Sequence, residues 1–274
     1  MPTGAVENNI NNSALQVYLK NFPCEKLGNY THTSIGRPTG SYNIAEDAMK
    51  DFYDIYHKSV FIDKIPTHLT EGIRDCPYTP LKIDIDFRYY SDKLERKYTM
   101  DDILEICKLY MKFIEQYLIE PEKEEREFFI MEKTEPTYDV KKNGDKKTND
   151  DGLYRIKDGV HIIAPRIVCN FNLQHQVRTK VCSTVNNILD KYGFDNSYTD
   201  IFDKCVIDTN NWQMYGSSKP FKEAYKVTKI ARIYETKTAH VALSNYNDRE
   251  LIELLSMRNK KEYSIVKPEM EAIV

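Results

Sequence analysis

The chain has 274 residues, of which 41% are hydrophobic and 30% charged, and its formal net charge is −3. Such a composition excludes an intrinsically disordered chain and provides for one large domain or two closely joined modules. The slight acidic balance argues against binding nucleic acid through one broad basic surface, so any phosphate contact has to come from local clusters.

The six cysteines, at 24, 76, 107, 169, 182 and 205, include no C-x-x-C pair. They read as reduced, mostly buried thiols of an intracellular protein, and their spacing is wrong for the common zinc modules. No apolar run approaches the ~20 residues needed to cross a bilayer. The Asn-rich start, Met1 to Leu15, lacks the basic opening of a signal peptide. A soluble, cytosolic or nuclear protein is expected. The 20 tyrosines are a bias that fits the source or, where exposed, base stacking.

In chain order, residues 1–13 are expected to be disordered. A helix is predicted from Ile44 to His57, where Ala48, Phe52, Ile55 and Tyr56 recur at helical spacing. Leu81–Phe87 is a strand. Met100–Leu118 is the clearest helix, with Ile103, Cys107, Tyr110, Met111, Ile114 and Leu118 in one stripe and Asp101 and Asp102 favouring its N-terminus. Phe128–Glu132 is a strand, and Lys141–Gly152 is a surface loop. Gly159–Val168 is a strand, and Gln174–Tyr192 a helix that Gly193 stops. Cys205–Asp208 and Tyr225–Tyr234 read as strands and Asp248–Met257 as a helix. Strands and helices mix without βαβ repetition, which predicts an α+β fold with a mainly antiparallel sheet.

Three elements can carry chemistry. Leu81 to Arg88 alternates strictly, so Lys82, Asp84, Asp86 and Arg88 share one face. Asp84 and Asp86 then stand ~7 Å apart, a separation at which carboxylates converge on divalent cations. Aspartate is a poor strand former, and two on one face need a reason beyond a solvated edge. The D-x-D pattern by itself also occurs in metal-dependent glycosyltransferases. His161, in Asp158-Gly159-Val160-His161, points opposite to Val160 and Ile162, either to donate to a phosphate oxygen or as a core histidine. Asp208 ends the apolar run Val206-Ile207 and precedes Gly216-Ser217-Ser218-Lys219. That glycine–serine turn, with its lysine, suits a phosphate. From Ser217 to Arg232 the lysines 219, 222, 226 and 229 and Arg232 face one acid, Glu223. A solvated hairpin would show the same excess.

These elements, in this order, resemble the archaeo-eukaryotic primase superfamily. Its pattern is an apolar strand with D-x-D or D-x-E, then S-x-H or G-x-H on a strand, then an apolar strand ending in Asp. Here those are Ile83-Asp84-Ile85-Asp86, Gly159-Val160-His161 and Val206-Ile207-Asp208. Met214-Tyr215-Gly216-Ser217-Ser218-Lys219 resembles the "L/M-Y-x-S-S-K" stretch of the primase-polymerase branch. The likeness spans roughly residues 30–235 and is nearest to the N-terminal primase domain of primase-helicases of large nucleocytoplasmic DNA viruses.

The resemblance implies a primase catalytic core with an RRM-like sheet, flanking helices and an N-terminal α/β module. The core would fill 14–274 as two interlocked modules, about 14–80 with later segments and 81–240. It would be a fragment of a longer polypeptide with a helicase, acting at a viral replication site in the host cytoplasm or nucleus. Asp84, Asp86 and Asp208 would hold two Mg2+ or Mn2+ ions. His161, Lys219, Ser217 and Ser218 would contact the triphosphate of an incoming NTP or dNTP, opposite a single-stranded DNA template. Arg37 would lie near nucleotide or template, with His32 as its rival. Gly159 stands where many members have serine, and no C-x-x-C module follows, which puts primer initiation in more doubt than extension. The competing readings are a glycosyltransferase and a non-catalytic single-strand-binding module.

Overall fold

The computed structural model describes residues 13–24, 30–36, 38–118, 122–234 and 237–258. In chain order the first elements are α1 (Ala14–Leu19), β1 (His32–Ser34), β2 (Gly40–Tyr42), α2 (Met49–His57) and β3 (Leu69–Glu71). The long β4 (Tyr78–Ser91), α3 (Met100–Glu115), β5 (Glu127–Glu132), β6 (Thr137–Tyr138), β7 (Tyr154–Asn170) and α4 (Phe171–Cys182) follow. Then come the short helices α5 (Asn186–Leu189), α6 (Tyr198–Ile201) and α7 (Cys205–Asp208), and finally β8 (Trp212–Gln213), β9 (Lys226–Ile233), β10 (Thr238–Val241) and α8 (Asp248–Leu254). Helices and antiparallel strands are interspersed, as an α+β fold requires.

Two compact units form. The first comprises Met1–Thr79, Thr209–Lys226 and Ser244–Lys260. Its sheet runs β2-β1-β3-β8, with antiparallel pairing throughout. Leu15, Leu19, Phe52, Tyr53, Tyr56, Leu69, Met214 and Ile252 form its core. α2 starts later than the pattern predicts, because a 3-10 turn, Glu46–Ala48, precedes it, and a π-helical turn, Lys58–Ile62, extends it. Ser13, in the segment expected to be disordered, caps α1 by accepting the Gln16 N–H; residues 1–12 lie outside the described residues.

Among the described residues the second unit comprises Pro80–Asp208 and Val227–Leu243. Its sheet has the order β10-β9-β5-β7-β4, with β6 also paired to β7. One face is apolar. Leu81, Ile83, Ile85, Phe87 and Tyr89 of β4, Phe128 and Ile130 of β5, and Val160, Ile162 and Ala164 of β7 pack with α3 and α4 into one core. α3 is set by a capping box: the Thr99 hydroxyl accepts the Asp102 N–H while the Asp102 carboxylate accepts the Thr99 N–H.

Two elements differ from expectation. The predicted Gln174–Tyr192 helix starts earlier and breaks. Asn170 caps α4 through the Leu173 N–H, and the helix ends at Cys182. Just beyond, the Ser183 and Thr184 hydroxyls each donate to the Lys180 carbonyl at 2.9 Å, competing with helix continuation. Gly193 does sit in the left-handed conformation that closes the last turn, with φ 57°.

The predicted strand Cys205–Asp208 is a helical turn, α7. Its backbone is satisfied locally: Cys205 N–H donates to the Asp203 carboxylate at 2.9 Å and Ile207 N–H to the Lys204 carbonyl at 3.1 Å. The strand-like pairing falls slightly earlier, where Phe202 bridges Ile85.

The cysteines, all within the described residues, form no disulfide; Cys107 and Cys169 are buried and the other four half-buried, fewer buried than expected. Among the described residues no helix is long and apolar enough to cross a membrane.

Candidate active site

β4 presents its polar residues on the face opposite α3 and α4. Asp84 and Asp86 sit there, half-buried, two residues apart on the strand. Lys82, on the same face, is buried, with its ammonium 5.3 Å from the Phe171 ring centre.

β7 is the neighbour of β4 in the sheet, and His161 on it reaches the same face. Its Nε2 lies 3.5 Å from Asp84 Oδ1. The segment before it is clamped. Arg96 Nε donates to Asp158 at 2.8 Å and Arg96 Nη1 to Glu132 at 2.7 Å, tying β7 to β5 a few residues from His161. Burial pushes the Asp158 carboxyl above its ordinary value, while the Arg96 guanidinium pulls it the other way.

Asp208 is held from α4. His175 Nε2 lies 2.8 Å from Asp208 Oδ2, and both side chains are partly open to solvent. Three residues along, the buried Arg178 donates to the Phe202 and Thr199 carbonyls, each at 2.7 Å. Asp203 N–H in turn donates to the Asp84 carbonyl at 3.0 Å. The chain leading to Asp208 is thus fastened to both α4 and β4. Neither His175 nor Arg178 was singled out from the sequence; the available signal was a histidine and an arginine at i, i+3 on one amphipathic helix.

Asp84, Asp86 and His161 therefore share one sheet face, while Asp208 pairs with His175. Among the described residues, no three His, Cys, Asp or Glu side chains converge into a metal cage. Two carboxylates on a strand remain a chemical fit for Mg2+ or Mn2+. Such hard ions take oxygen ligands, and Mg2+ is typically held by one or two carboxylates together with water and substrate phosphates.

The glycine–serine turn belongs to the first unit. Gly216 has φ +85°, and a Cβ there would meet the Phe61 ring at 2.6 Å, so glycine is required. Ser217 departs from the phosphate-binding expectation. It is buried, its hydroxyl lies 2.9 Å from the Tyr56 hydroxyl and accepts the Leu69 N–H at 3.1 Å, and its own N–H donates to Met214. The Ser218 N–H is also engaged, on the Thr67 carbonyl at 2.9 Å. Neither N–H stands exposed to an anion; the Lys219 side chain does face solvent.

His32 is enclosed, not poised for a ligand. Its ring packs 4.8 Å from that of Phe52. Burial, helped by Arg258, drives its pKa down to about 3, so it carries no charge for a phosphate near neutral pH. Arg37 lies outside the described residues.

The family model described as "C962R protein N-terminal AEP domain" matches residues 31–231, well over half of the chain. The chain belongs to this archaeo-eukaryotic primase (AEP) family. Two viral proteins are similar to it. The "Putative helicase" of Acanthamoeba polyphaga mimivirus is 30% identical over 191 residues, covering 69% of this chain and 18% of that protein. The "Putative helicase" of Invertebrate iridescent virus 6 is 22% identical over 221 residues, covering 74% of this chain and 21% of that protein. The AEP chain thus spans about a fifth of the length of these relatives. The match covers the Asp84–Asp86 strand, His161 and Asp208 alike, and leaves the sugar-transfer reading of the D-x-D pair without support.

Proposed function

We propose that this AEP domain is a template-dependent nucleotidyltransferase, a primase-polymerase that joins NTPs or dNTPs on single-stranded DNA during viral DNA replication. The observation that carries this reading is the pair Asp84 and Asp86 on one strand face, with His161 3.5 Å from Asp84. Asp84 and Asp86, with Asp208, would hold two Mg2+ or Mn2+ ions. Bound there, such ions activate a 3′-hydroxyl and neutralise charge on the triphosphate.

The chain's own residues position and orient. His161, beside Asp84, donates a ring N–H to a phosphate oxygen of the incoming nucleotide. His175 fixes one oxygen of Asp208 and so orients the carboxylate. Lys219, with Ser218, supplies positive charge and a hydroxyl to phosphate; the Ser217 hydroxyl supports the turn from within. These roles are largely electrostatic positioning, the larger part of catalysis in phosphoryl transfer. The helicase names of the two viral relatives support a helicase in the same polypeptide, and their viral origin supports a site of action where viral DNA is copied.

The test is synthesis on single-stranded DNA with labelled NTPs or dNTPs and Mg2+ or Mn2+, run with and without a supplied primer. Products from the wild type that vanish in Asp84→Ala support the reading. Strand binding without incorporation under either condition sinks it in favour of a non-catalytic binding module.

A further inference from the structure

Lys219-Pro220-Phe221-Lys222 closes a reverse turn in which the Lys222 N–H donates to the Lys219 carbonyl at 3.0 Å. Proline at the second position sets the turn up, and the third residue then adopts positive φ, the arrangement of a type II turn. That third position ordinarily holds glycine or asparagine. Here it holds Phe221, with φ 61°. A bulky aromatic in the left-handed region is a genuine outlier. No packing compensates for it, because Phe221 is 104% exposed and its ring stands wholly in water. Local stability favours glycine at this position, and hydration favours a polar residue. An outlier of this kind, which neither local stability nor hydration accounts for, points to a ligand.

The surroundings say which ligand. Lys219 and Lys222 stand in the same turn, two residues before and one after Phe221, and are both exposed. Lys226 and Glu223 form a loose exposed pair at 3.8 Å, which offsets little of the positive charge. A protein partner that buried Phe221 in an apolar socket would call for apolar residues around it, and the turn carries exposed lysines instead. A bare π-face beside cations fits a strand that offers unstacked bases and phosphates together. We propose that Phe221 is a base-stacking residue for single-stranded nucleic acid and that Lys222 pairs with an adjacent phosphate. This rests on the nucleotidyl-transfer reading and adds to it a strand-gripping position carried by the first unit.

The test is binding of the full chain to an oligothymidylate of about 20 nucleotides and to an abasic strand of equal length, across a salt series. Phe221→Ala and Phe221→Gly are expected to weaken oligothymidylate binding roughly 5- to 100-fold with an unchanged salt slope, and Phe221→Trp to retain it. On the abasic strand all of these variants should match the wild type. Lys222→Ala should lower the salt slope by about one on both strands. Phe221→Gly should melt at or above the wild-type temperature, since it relieves the backbone. Wild-type affinity in Phe221→Ala, an equal loss on the abasic strand, or a clear drop in the Phe221→Gly melting temperature would overturn the inference while leaving the catalytic reading standing. A wild type that binds neither strand removes both.

Discussion

His175 Nε2 lies 2.8 Å from Asp208 Oδ2, which couples the one aspartate of the proposed metal site outside the β4 strand to α4. The pair is partly exposed, so its contribution to stability is small, about 0–1 kcal/mol. Its contribution to function is expected to be larger, because a carboxylate that must present one oxygen needs the other held. His175→Ala should lower nucleotide incorporation roughly 10- to 100-fold, the usual cost of losing a partner behind a ligating carboxylate. The melting temperature should move by no more than about 3 °C. His175→Gln, which keeps a donor, should recover part of the rate. A large melting shift without a rate change would make His175 a packing residue only.

Asp86 bears on metal binding directly. It shares a strand face with Asp84, and unscreened like charges at that spacing repel. Divalent ions that bind the folded chain and not the unfolded one raise its stability, by about 2.7 kcal/mol at a hundredfold excess over Kd. Mn2+ should therefore raise the wild-type melting temperature, and Asp86→Asn should lose most of that rise. Without metal, Asp86→Asn should melt at the wild-type temperature or slightly above it. An undiminished Mn2+ shift in the variant would remove Asp86 from the metal site.

The strand face was legible because its signal is local and periodic. Leu81, Ile83, Ile85 and Phe87 alternate with Lys82, Asp84 and Asp86, and period two leaves one solution for which side is buried. Val206-Ile207 is too short to have a period. A side-chain bond from Asp203 and a backbone bond to Lys204 decided for a helical turn. The break after Cys182 turned on two hydroxyls bonding back to Lys180, which composition does not show. The strand order β10-β9-β5-β7-β4 and the His175–Asp208 pair are non-local, and their partners lie far apart in the chain. The internal partners of Ser217 were not legible because serine in a glycine turn suits an anion and a buried backbone N–H equally well.

Ser217 accordingly carries a stability prediction. Its hydroxyl accepts the Leu69 N–H and meets the Tyr56 hydroxyl, both inside the first unit. Ser217→Ala leaves that buried N–H without an acceptor, at a cost of about 1–3 kcal/mol. The denaturation midpoint should fall, while the KM for nucleotide in the surviving folded protein stays near wild type. A raised KM with unchanged stability would restore Ser217 to the phosphate site.

Asp102 makes the stability of the second unit sensitive to acid. Burial alone would raise its pKa, but the Lys191 ammonium at 2.6 Å, the Thr99 hydroxyl and N–H, and the Tyr192 hydroxyl outweigh it and hold the carboxyl down at about 2, against an ordinary 3.8. The folded state therefore binds this proton less readily than the unfolded chain does. The stabilisation, about 2 kcal/mol by linkage, is complete above the unfolded value and is lost as pH falls from near 4 through about 2. Asp102→Asn should lower the melting temperature at neutral pH, since Lys191 loses its partner and α3 one of the two acids of its first turn. The gap between variant and wild type should then close as pH falls through that window. A gap that stays constant down to pH 2 would mean that the Asp102 charge contributes nothing and that its cap acts through hydrogen bonds alone.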